Sequence, residues 1–361
     1  HRTEAIRREI PPQRNESRMK KHLNTLFVTT QGSYLAKEGE TVVIRTDGEV
    51  RMQLPVHTLG GIVCFGNVAV SPYLMAFCAE RDVAISFLSE HGRFLAKVQG
   101  PVSGNVLLRR EQYRKADNPE FSVRMARSIL AGKIANSRTV LQRALRDHAE
   151  KIAVEEVRKS VDRLSGCLDA LERAADLDAL RGIEGDASRS YFSVFDNLIV
   201  AQKDAFVFRE RSRRPPLDNV NCLLSFIYTL LMHDVRSALE TVGIDPAVGF
   251  LHRDRPGRPG CALDLMEEFR PFIADRLTLS LINLRKVDAG DFRKSEAGAV
   301  TLSDEARKTV LVSYQERKRE EIIHPYTAEK MTIGTLFYLQ ALLLARHLRG
   351  DIDGYPPFIW K

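Results

Sequence analysis

The chain has 361 residues, of which 44% are hydrophobic and 28% charged, a composition typical of a globular protein long enough for two domains. Its net charge of +7 and isoelectric point near 9.2 favour an acidic partner, of which nucleic acid is the commonest. The five cysteines are scattered without paired spacing, which argues against a zinc ribbon or iron–sulfur site and predicts reduced thiols in the cytoplasm. No run approaches the about 18 apolar residues of a membrane span, and no signal peptide is visible, so we expect no membrane partner.

Residues 1–18 are polar, contain Pro11 and Pro12, and begin without a methionine. We expect them to be a linker, a tag remnant or the end of a fused upstream module. Residues 19–104 are predicted to form a β-rich, sandwich-like domain, because short apolar runs such as TVVIRT and GGIVCFG alternate with turn signals such as Asp47-Gly48. One helix interrupts these runs after Ser71, a suitable N-cap. The exposed edges of such sheets are suited to dimerisation.

Residues 105–349 are predicted to form a helical domain, which makes the fold class α+β. Its helices are expected at about 109–146, 148–175, 177–202, 218–242, 262–287, 303–319 and 328–348. Residues 109–146 contain ten Arg or Lys, among them Arg124 and Arg138, against three acids. This imbalance predicts a surface that follows DNA phosphates, and the alternative is an ordinary solvated face.

A second informative stretch is LRGIEGDASRSYF, in which Glu184 lies between Gly182 and Gly185. Each glycine costs a helix about 1 kcal/mol relative to alanine, so we expect a compensating approach of another backbone or of a ligand. Arg189 lies five residues beyond Glu184, where it could meet a phosphate. The alternative is a glutamate that caps the start of a helix.

The third stretch, GFLHRDRPGRPGCALDLMEEFRPFIAD, brings a histidine, a cationic turn and an acidic helix together. His252 precedes a turn that prolines and glycines keep irregular. The arginines of the turn are Arg253, Arg255 and Arg258. Asp264, Glu267 and Glu268 follow at helical spacing, where they repel unless a cation lies between them. The pattern suits a divalent metal beside a phosphate, and the alternative is a solvated acidic face with His252 in the core.

The tail, residues 350–361, ends in the aromatic sequence YPPFIWK. It is expected either to dock as an extended segment in a groove of a partner or to fold back on its own helices.

These stretches together resemble one family, the spacer-acquisition integrase called CRISPR-associated protein one. The resemblance covers residues 19–361 and includes the strand-to-helix order, the three stretches above, RSRRPPLDNVNCLLSFIYTLL and the closing YPPFIWK, which resembles the type I-C branch.

The resemblance implies that three side chains hold a divalent metal, Mg²⁺ or Mn²⁺. They are Glu184 of the EG motif, His252 of GFLH and Glu267 of DLMEE. Many relatives have Asp at the last position, so Glu267 is a conservative departure. Asp264 is implied to be a supporting acid, and it is left open whether Asp264 or Glu268 shares the metal. Two carboxylates and an imidazole suit Mn²⁺ well and Mg²⁺ acceptably.

The implied activity is that of a metal-dependent DNA endonuclease and integrase. A 3′-hydroxyl of a short foreign DNA fragment would attack a phosphodiester of the CRISPR array and so insert the fragment as a spacer. Arg255 matches a basic position that contacts DNA near the site, and Arg189, Arg253 and Arg258 are further phosphate contacts. The wedge tyrosine with which some relatives splay duplex ends does not align cleanly, and its candidates are Gln31 and Tyr34.

The implied partners are double-stranded DNA, a second copy of the chain and a dimer of the small CRISPR-associated protein two. A protein-four nuclease, separate or fused upstream, would assist. Two other functions compete, a stand-alone nuclease for branched or single-stranded DNA and a non-catalytic DNA-binding scaffold. The presence of all three implied ligands argues against the scaffold.

Overall fold

The computed structural model of the protein describes residues 24–81, 83–89, 94–98, 106–252 and 254–360. The chain divides into two compact units, His1–Val102 and Ser103–Lys361. The predicted linker, residues 1–18, lies outside the described residues, as does Arg253.

The described part of the first unit contains two four-stranded sheets and one helix. In one sheet the order is β1-β5-β7-β8, with β1 and β7 parallel to β5 and with β8 antiparallel to β7. In the other the order is β4-β3-β2-β6, an antiparallel meander with β6 parallel to β2. The elements are β1 Asn24–Val28, β2 Tyr34–Glu38, β3 Thr41–Thr46, β4 Glu49–Pro55, β5 Leu59–Phe65, β6 Ala69–Val70, α1 Pro72–Glu80, β7 Ala84–Leu88 and β8 Phe94–Val98.

One hydrophobic core joins both sheets and α1 in this unit, with Leu35, Ile62, Leu74 and Ile85 all fully buried. Local signals position the elements around that core. Asp47 and Gly48 both have positive φ, 54° and 79°, as the tight turn between β3 and β4 requires. Ser71 Oγ accepts a hydrogen bond from the Leu74 amide at 3.2 Å, which confirms the predicted N-cap of α1.

The second unit is mainly helical, which confirms the predicted α+β class. It also carries two antiparallel hairpins that the sequence patterns did not reveal, β9 with β10 and β11 with β12. Its elements are α2 Val106–Ala116, α3 Pro119–Asp147, α4 Val154–Arg173, α5 Leu177–Ser193, α6 Asn219–Thr241, α7 Gly260–Met266, α8 Arg276–Asn283, β9 Phe292–Lys294, β10 Val300–Leu302, α9 Asp304–Arg319, β11 Glu321–Ile323, β12 Lys330–Thr332 and α10 Ile333–Arg349.

The helix predicted over residues 262–287 is not continuous. α7 ends at Met266, a π-helical turn follows over Arg270–Asp275, and α8 continues from Arg276. Pro271 lies in the π-helical turn and has no amide hydrogen to donate, so the regular hydrogen-bond ladder cannot pass through it. The interruption rotates the residues after Met266 away from the face predicted by uniform helical spacing.

Helix α6 is the central helix of the second unit. By length and composition it is the one helix among the described residues that could cross a membrane. Its most apolar window is 61% buried inside the unit, and residues such as Leu223, Ile227 and Leu231 are fully buried. This packing is that of a core helix in a globular protein.

The tail folds back on its own unit, the second of the two alternatives. Tyr355 and Phe358 are buried, and the Phe358 ring lies 5.1 Å from that of Phe272. Asn136 on α3 binds the tail twice, because its amide nitrogen donates to the Phe358 carbonyl at 2.9 Å and its oxygen accepts from the Trp360 amide at 2.8 Å. The peptide groups of the tail are therefore bonded to α3, as a docked strand would be.

Candidate active site

A buried ion cluster lies between α3, α5 and the turn after α7. The Lys133 ammonium contacts Glu184 Oε1 and lies 2.8 Å from Glu267 Oε2. Arg270 extends the cluster, with one guanidinium nitrogen 3.3 Å from Glu267 Oε1. Ser188 donates a hydrogen bond to Glu184 Oε1 at 2.9 Å. Two of the three predicted metal ligands are therefore brought together on one cation.

Charge balance keeps both carboxyls of the cluster ionised. Burial raises the pKa of Glu267, but the positive charges of Arg270 and Lys133 outweigh it and bring the pKa to about 2. Burial also raises the pKa of Glu184, and the Lys133 ammonium reverses that effect and leaves the pKa below its usual value.

Glu184 is not a capping residue. It lies well inside α5, whose N-cap is Asp176, with an oxygen 2.8 Å from the Ala179 amide. Among the described residues, a Cβ added at Gly182 or Gly185 would meet nothing within 4 Å, so no neighbouring backbone explains the two glycines.

His252 is held in place by Asp264. Oδ2 of this buried carboxylate accepts from the amides of Phe250 and Leu251 at 2.6 and 3.0 Å. Oδ1 accepts from the His252 amide at 3.0 Å and lies 2.6 Å from His252 Nδ1. A proton on Nδ1 leaves the lone pair on Nε2, the arrangement found in metal-ligating histidines. Both oxygens of Asp264 are thus occupied by the loop amides and by the His252 ring.

Local backbone geometry makes this support possible. A Cβ at Gly249 would lie 2.7 Å from Asp264 Oδ2 and 2.7 Å from the backbone of Gly260, so only glycine lets the loop close on the carboxylate. Gln112 on α2, fully buried, clamps the preceding loop. Its side chain bonds both the amide and the carbonyl of Asp245, at 2.9 and 2.8 Å, and the carbonyl of Val248 at 2.8 Å.

Glu268 belongs to a different environment from Glu267. Its Oε2 accepts from the Phe358 amide at 2.8 Å and from Gln340 at 3.0 Å, so it binds the tail and α10. Burial raises the pKa of Glu268 to about 8. Asp264, Glu267 and Glu268 are 1%, 3% and 0% exposed, so the alternative of a solvated acidic face is wrong. The helix ends between the first and second of them, and this is why they do not share one face.

The predicted DNA-contacting arginines differ in their availability. The Arg189 side chain is 80% exposed, and its nearest acidic partner, Asp186, is 3.9 Å away. Arg255 and Arg124 are also exposed, whereas Arg258 is half-buried in the turn. Arg138 is half-buried and donates to Ser165 Oγ at 3.2 Å. Arg253 lies outside the described residues, so its prediction is not addressed.

Some basic side chains of residues 109–146 stabilise the fold by binding backbone carbonyls at helix ends. Arg127 donates to the carbonyls of Leu171 and Ala174 at the end of α4, both at 2.9 Å. Lys115 donates to the Leu348 carbonyl at the end of α10, at 2.7 Å. Fewer than ten basic residues of this block are therefore available to the predicted phosphate-following surface.

Sequence patterns missed Lys133, Gln112 and Arg270 as parts of the site. A signal for Lys133 was available, since it lies three and four residues after Leu130 and Ile129, on the buried stripe of α3. A charged residue on an apolar stripe needs a buried partner.

A cleft opens beside the ion cluster. It is lined by Lys133, Ser188, Tyr191, Arg213, Tyr228, Arg270 and Asp275, among others. The Tyr228 hydroxyl donates to Asp275 Oδ1 at 2.7 Å. The residues that line the cleft include three cations, Lys133, Arg213 and Arg270, and one acid, Asp275, an arrangement favourable to a phosphate.

The donor set of the cluster fits a divalent ion. As the side chains stand, no group of three His, Cys, Asp or Glu within the described ranges is close enough to hold one. Lys133 takes the cation position between the two carboxylates instead. Glu267 Oε2 is buried and makes no hydrogen bond of regular geometry, so its lone pairs remain directed at a cation. Two ionised carboxylates and an oriented imidazole are suitable ligands for Mn²⁺ or Mg²⁺.

Comparison with known proteins places these features in context. The sequence model of a family described as CRISPR associated protein Cas1 matches residues 26–316. The chain is 59% identical over 343 residues to CRISPR-associated endonuclease Cas1 1 of Chlorobaculum tepidum, covering 95% of this chain and 100% of the relative. It is 54% identical over 347 residues to CRISPR-associated endonuclease Cas1 2 of Rhodospirillum rubrum, with the same coverage.

Solved structures share the fold. The structure of TM1797, a CAS1 protein from Thermotoga maritima, superposes with a TM-score of 0.77 at 25% identity, covering 91% of this chain and 97% of that one. A chain of a Cas6-RT-Cas1–Cas2 complex superposes with a TM-score of 0.78 at 22% identity, covering 94% of this chain and 36% of that one. At this identity the similarity supports a shared fold and nothing more. A Cas4–Cas1 fusion from Geobacter sulfurreducens is 36% identical over 93% of this chain and 60% of its own length.

Proposed function

The chain belongs to the Cas1 family of CRISPR-associated proteins, and we propose that it inserts short foreign DNA fragments into a CRISPR array as a metal-dependent integrase and endonuclease. The observation that carries this proposal is that half-buried Glu184 and buried Glu267 meet on one cation beside a cationic cleft. His252, which Asp264 holds at its Nδ1, is the third proposed ligand.

In the proposed site Glu184, Glu267 and His252 Nε2 hold one Mg²⁺ or Mn²⁺. When bound, the ion neutralises charge on the attacked phosphate and lowers the barrier to attack by an oxygen nucleophile. Asp264 holds the imidazole in the required tautomer and orientation. Glu268 stabilises the segment from the other side, through the tail, and does not serve as a ligand.

The remaining residues bind and position DNA. Arg270 lies at the junction of the ion cluster and the cleft, where its guanidinium can hold a phosphate oxygen. Arg189 and Arg255 are exposed near the site and contact the backbone further along, with Arg258, Arg124 and Arg138 extending this surface. The nucleophile is the 3′-hydroxyl of the bound fragment, and water in its place gives hydrolysis.

The proposed assembly is based on the partners that appear in the names of related proteins. A solved complex contains Cas1 with Cas2, and a curated relative is a fusion of Cas4 with Cas1. We propose that this chain forms a homodimer through its β-rich unit, binds a Cas2 dimer and works with a Cas4 nuclease, in the cytoplasm. The edge strand β4 suits the homodimer, since Val50 and Met52 are about half exposed on it.

A strand-transfer assay tests the function. Labelled duplexes with a 3′-hydroxyl are incubated with a supercoiled target plasmid in Mn²⁺, Mg²⁺ or chelator, for the wild type, Glu184→Ala and His252→Ala. We expect joined products with either ion and a loss of several orders of magnitude in the variants. Cleavage without joining would favour a stand-alone nuclease, and a folded Glu184→Ala protein that joins DNA at the wild-type rate would exclude the site.

A further inference from the structure

Lys133 holds an unusual position for a lysine. Its side chain is only 12% exposed, and its ammonium contacts two carboxylates from different segments, Glu184 of α5 and Glu267 after α7. The lysine therefore places a positive charge at the point where both acidic ligands of the proposed metal meet.

Electrostatics explains why a cation is needed there. Two ionised carboxylates in a buried site repel, and without a counter-charge one of them must take up a proton or the segments must separate. Among the ion pairs of the described residues, Arg270 pairs with Glu267, through the other oxygen, and not with Glu184, so it does not bridge the two carboxylates as Lys133 does. Lys133 thus provides, from inside the chain, the bridge that a divalent ion would provide from outside.

We propose that Lys133 is a built-in counter-ion that keeps Glu184 and Glu267 together in the metal-free protein and that an incoming divalent ion must displace. The inference rests on the proposed function, because it takes these two carboxylates as metal ligands. Lys133 is then a positioning residue, and it makes metal binding weaker than the bare ligands would allow.

The structure offers the displaced ammonium a place to go. Lys133 lines the cleft beside the cluster, together with Ser188 and Asp275. Four methylene groups let the ammonium swing while the helix stays still. In the cleft it would face the region where the arginines Arg213 and Arg270 favour a phosphate, so the charge that leaves the ligands is delivered to the substrate.

The test compares metal affinity and stability without using activity. Mn²⁺ binding is measured by titration calorimetry, and thermal melting is recorded in chelator and in saturating Mn²⁺. The variants are Lys133→Met, which keeps the length of the chain without the charge, and Lys133→Arg, which keeps the charge. Lys318→Met is the matched control, since Lys318 is an equally buried lysine 2.9 Å from Asp234 and apart from the cluster.

In chelator we expect Lys133→Met to melt several degrees below the wild type and Lys133→Arg to recover most of that loss. We expect Lys133→Met to bind Mn²⁺ at least about tenfold more tightly than the wild type, because no internal cation competes, and to regain its melting temperature in Mn²⁺. Lys318→Met should lose stability in chelator and regain none in Mn²⁺, since no metal ligand is involved. If Lys133→Met binds Mn²⁺ no more tightly than the wild type, the inference is wrong.

His252→Ala separates this inference from the proposed function. If it binds Mn²⁺ as well as the wild type, the proposed metal site is wrong whatever Lys133 does. If it loses Mn²⁺ while Lys133→Met binds like the wild type, the site stands and only the counter-ion role fails. Should Lys133→Met not fold in chelator, the double variant Lys133→Met/Glu184→Gln removes the repulsion, and its failure to restore folding would also refute the inference.

Discussion

Replacing Asp264 by asparagine should disable His252 as a ligand while leaving its side chain in place. The carboxylate accepts four hydrogen bonds, two on each oxygen, from three backbone amides and from His252 Nδ1. The asparagine oxygen can keep the bonds from Phe250 and Leu251, and its NH₂ group then faces the His252 amide and Nδ1. The ring can adapt by accepting at Nδ1, so one buried donor, the His252 amide, loses its partner, which costs about 1–3 kcal/mol.

The same substitution changes the imidazole tautomer. With an NH₂ group opposite Nδ1, the ring is most stable with its proton on Nε2, where it blocks metal ligation. We therefore expect Mn²⁺ affinity to fall by about tenfold to a hundredfold, the range typical of such support residues. At ~2–4 °C per kcal/mol for a unit of this size, the melting temperature should fall by roughly 2–12 °C.

Thermal melts in chelator and Mn²⁺ calorimetry measure the two effects separately. Asp176→Asn is the matched control, because Asp176 caps α5 and asparagine is an equally good N-cap. The control should change neither stability nor Mn²⁺ affinity. An Asp264→Asn protein that melts and binds Mn²⁺ like the wild type would show that the carboxylate does not organise the loop and the ring.

Three further changes probe the DNA surface, the pH dependence and the tail. Arg255→Ala should weaken binding to all DNA sequences alike and reduce the salt slope of affinity by about one, as measured by anisotropy titrations in increasing salt. Burial raises the pKa of Glu268 from 4.5 to about 8. Between pH 4.5 and pH 8 the folded protein therefore holds a proton on Glu268 that the unfolded protein has lost. The contribution of this proton to stability is complete below pH 4.5 and is lost as the pH rises through 8. Denaturation of Glu268→Gln between pH 5 and pH 9 should therefore show a smaller loss of stability at high pH than the wild type, and equal slopes would contradict the assignment. Phe358→Ala should cost about 3–5 kcal/mol of unfolding free energy, because the ring is fully buried, whereas a tail that docked elsewhere would leave stability unchanged.

Local patterns were sufficient for most of the fold. The turn at Asp47-Gly48 and the cap at Ser71 depend on residues within a few positions of each other, and both were predictable. Pro271, which interrupts the helical hydrogen-bond ladder, is also visible in the sequence, but the apolar spacing on both sides of it predicts one continuous helix. The two hairpins were missed because each strand has only three residues, too few to establish an alternating pattern.

Only the site residues that lie within sequence motifs could be predicted. Glu184, His252 and Glu267 could be named from the resemblance, yet the cation that joins two of them could not. Lys133 lies 51 residues before Glu184 in the sequence, and no local pattern encodes a contact of that range. The different roles of Asp264 and Glu268 depend likewise on distant partners, an imidazole and the tail, which only the folded chain brings to them.

The contact between Glu268 and the tail can form only late in the synthesis of the chain. Phe358 follows Glu268 by 90 residues, so a ribosome that adds 5–20 residues per second needs roughly 5–18 s to supply it. During that interval the carboxyl next to a proposed metal ligand, and the α3 groove around Asn136, have no tail to cover them. A nascent chain that has already produced every predicted catalytic residue therefore still lacks the contacts that the tail makes with Glu268 and Asn136 in the folded unit.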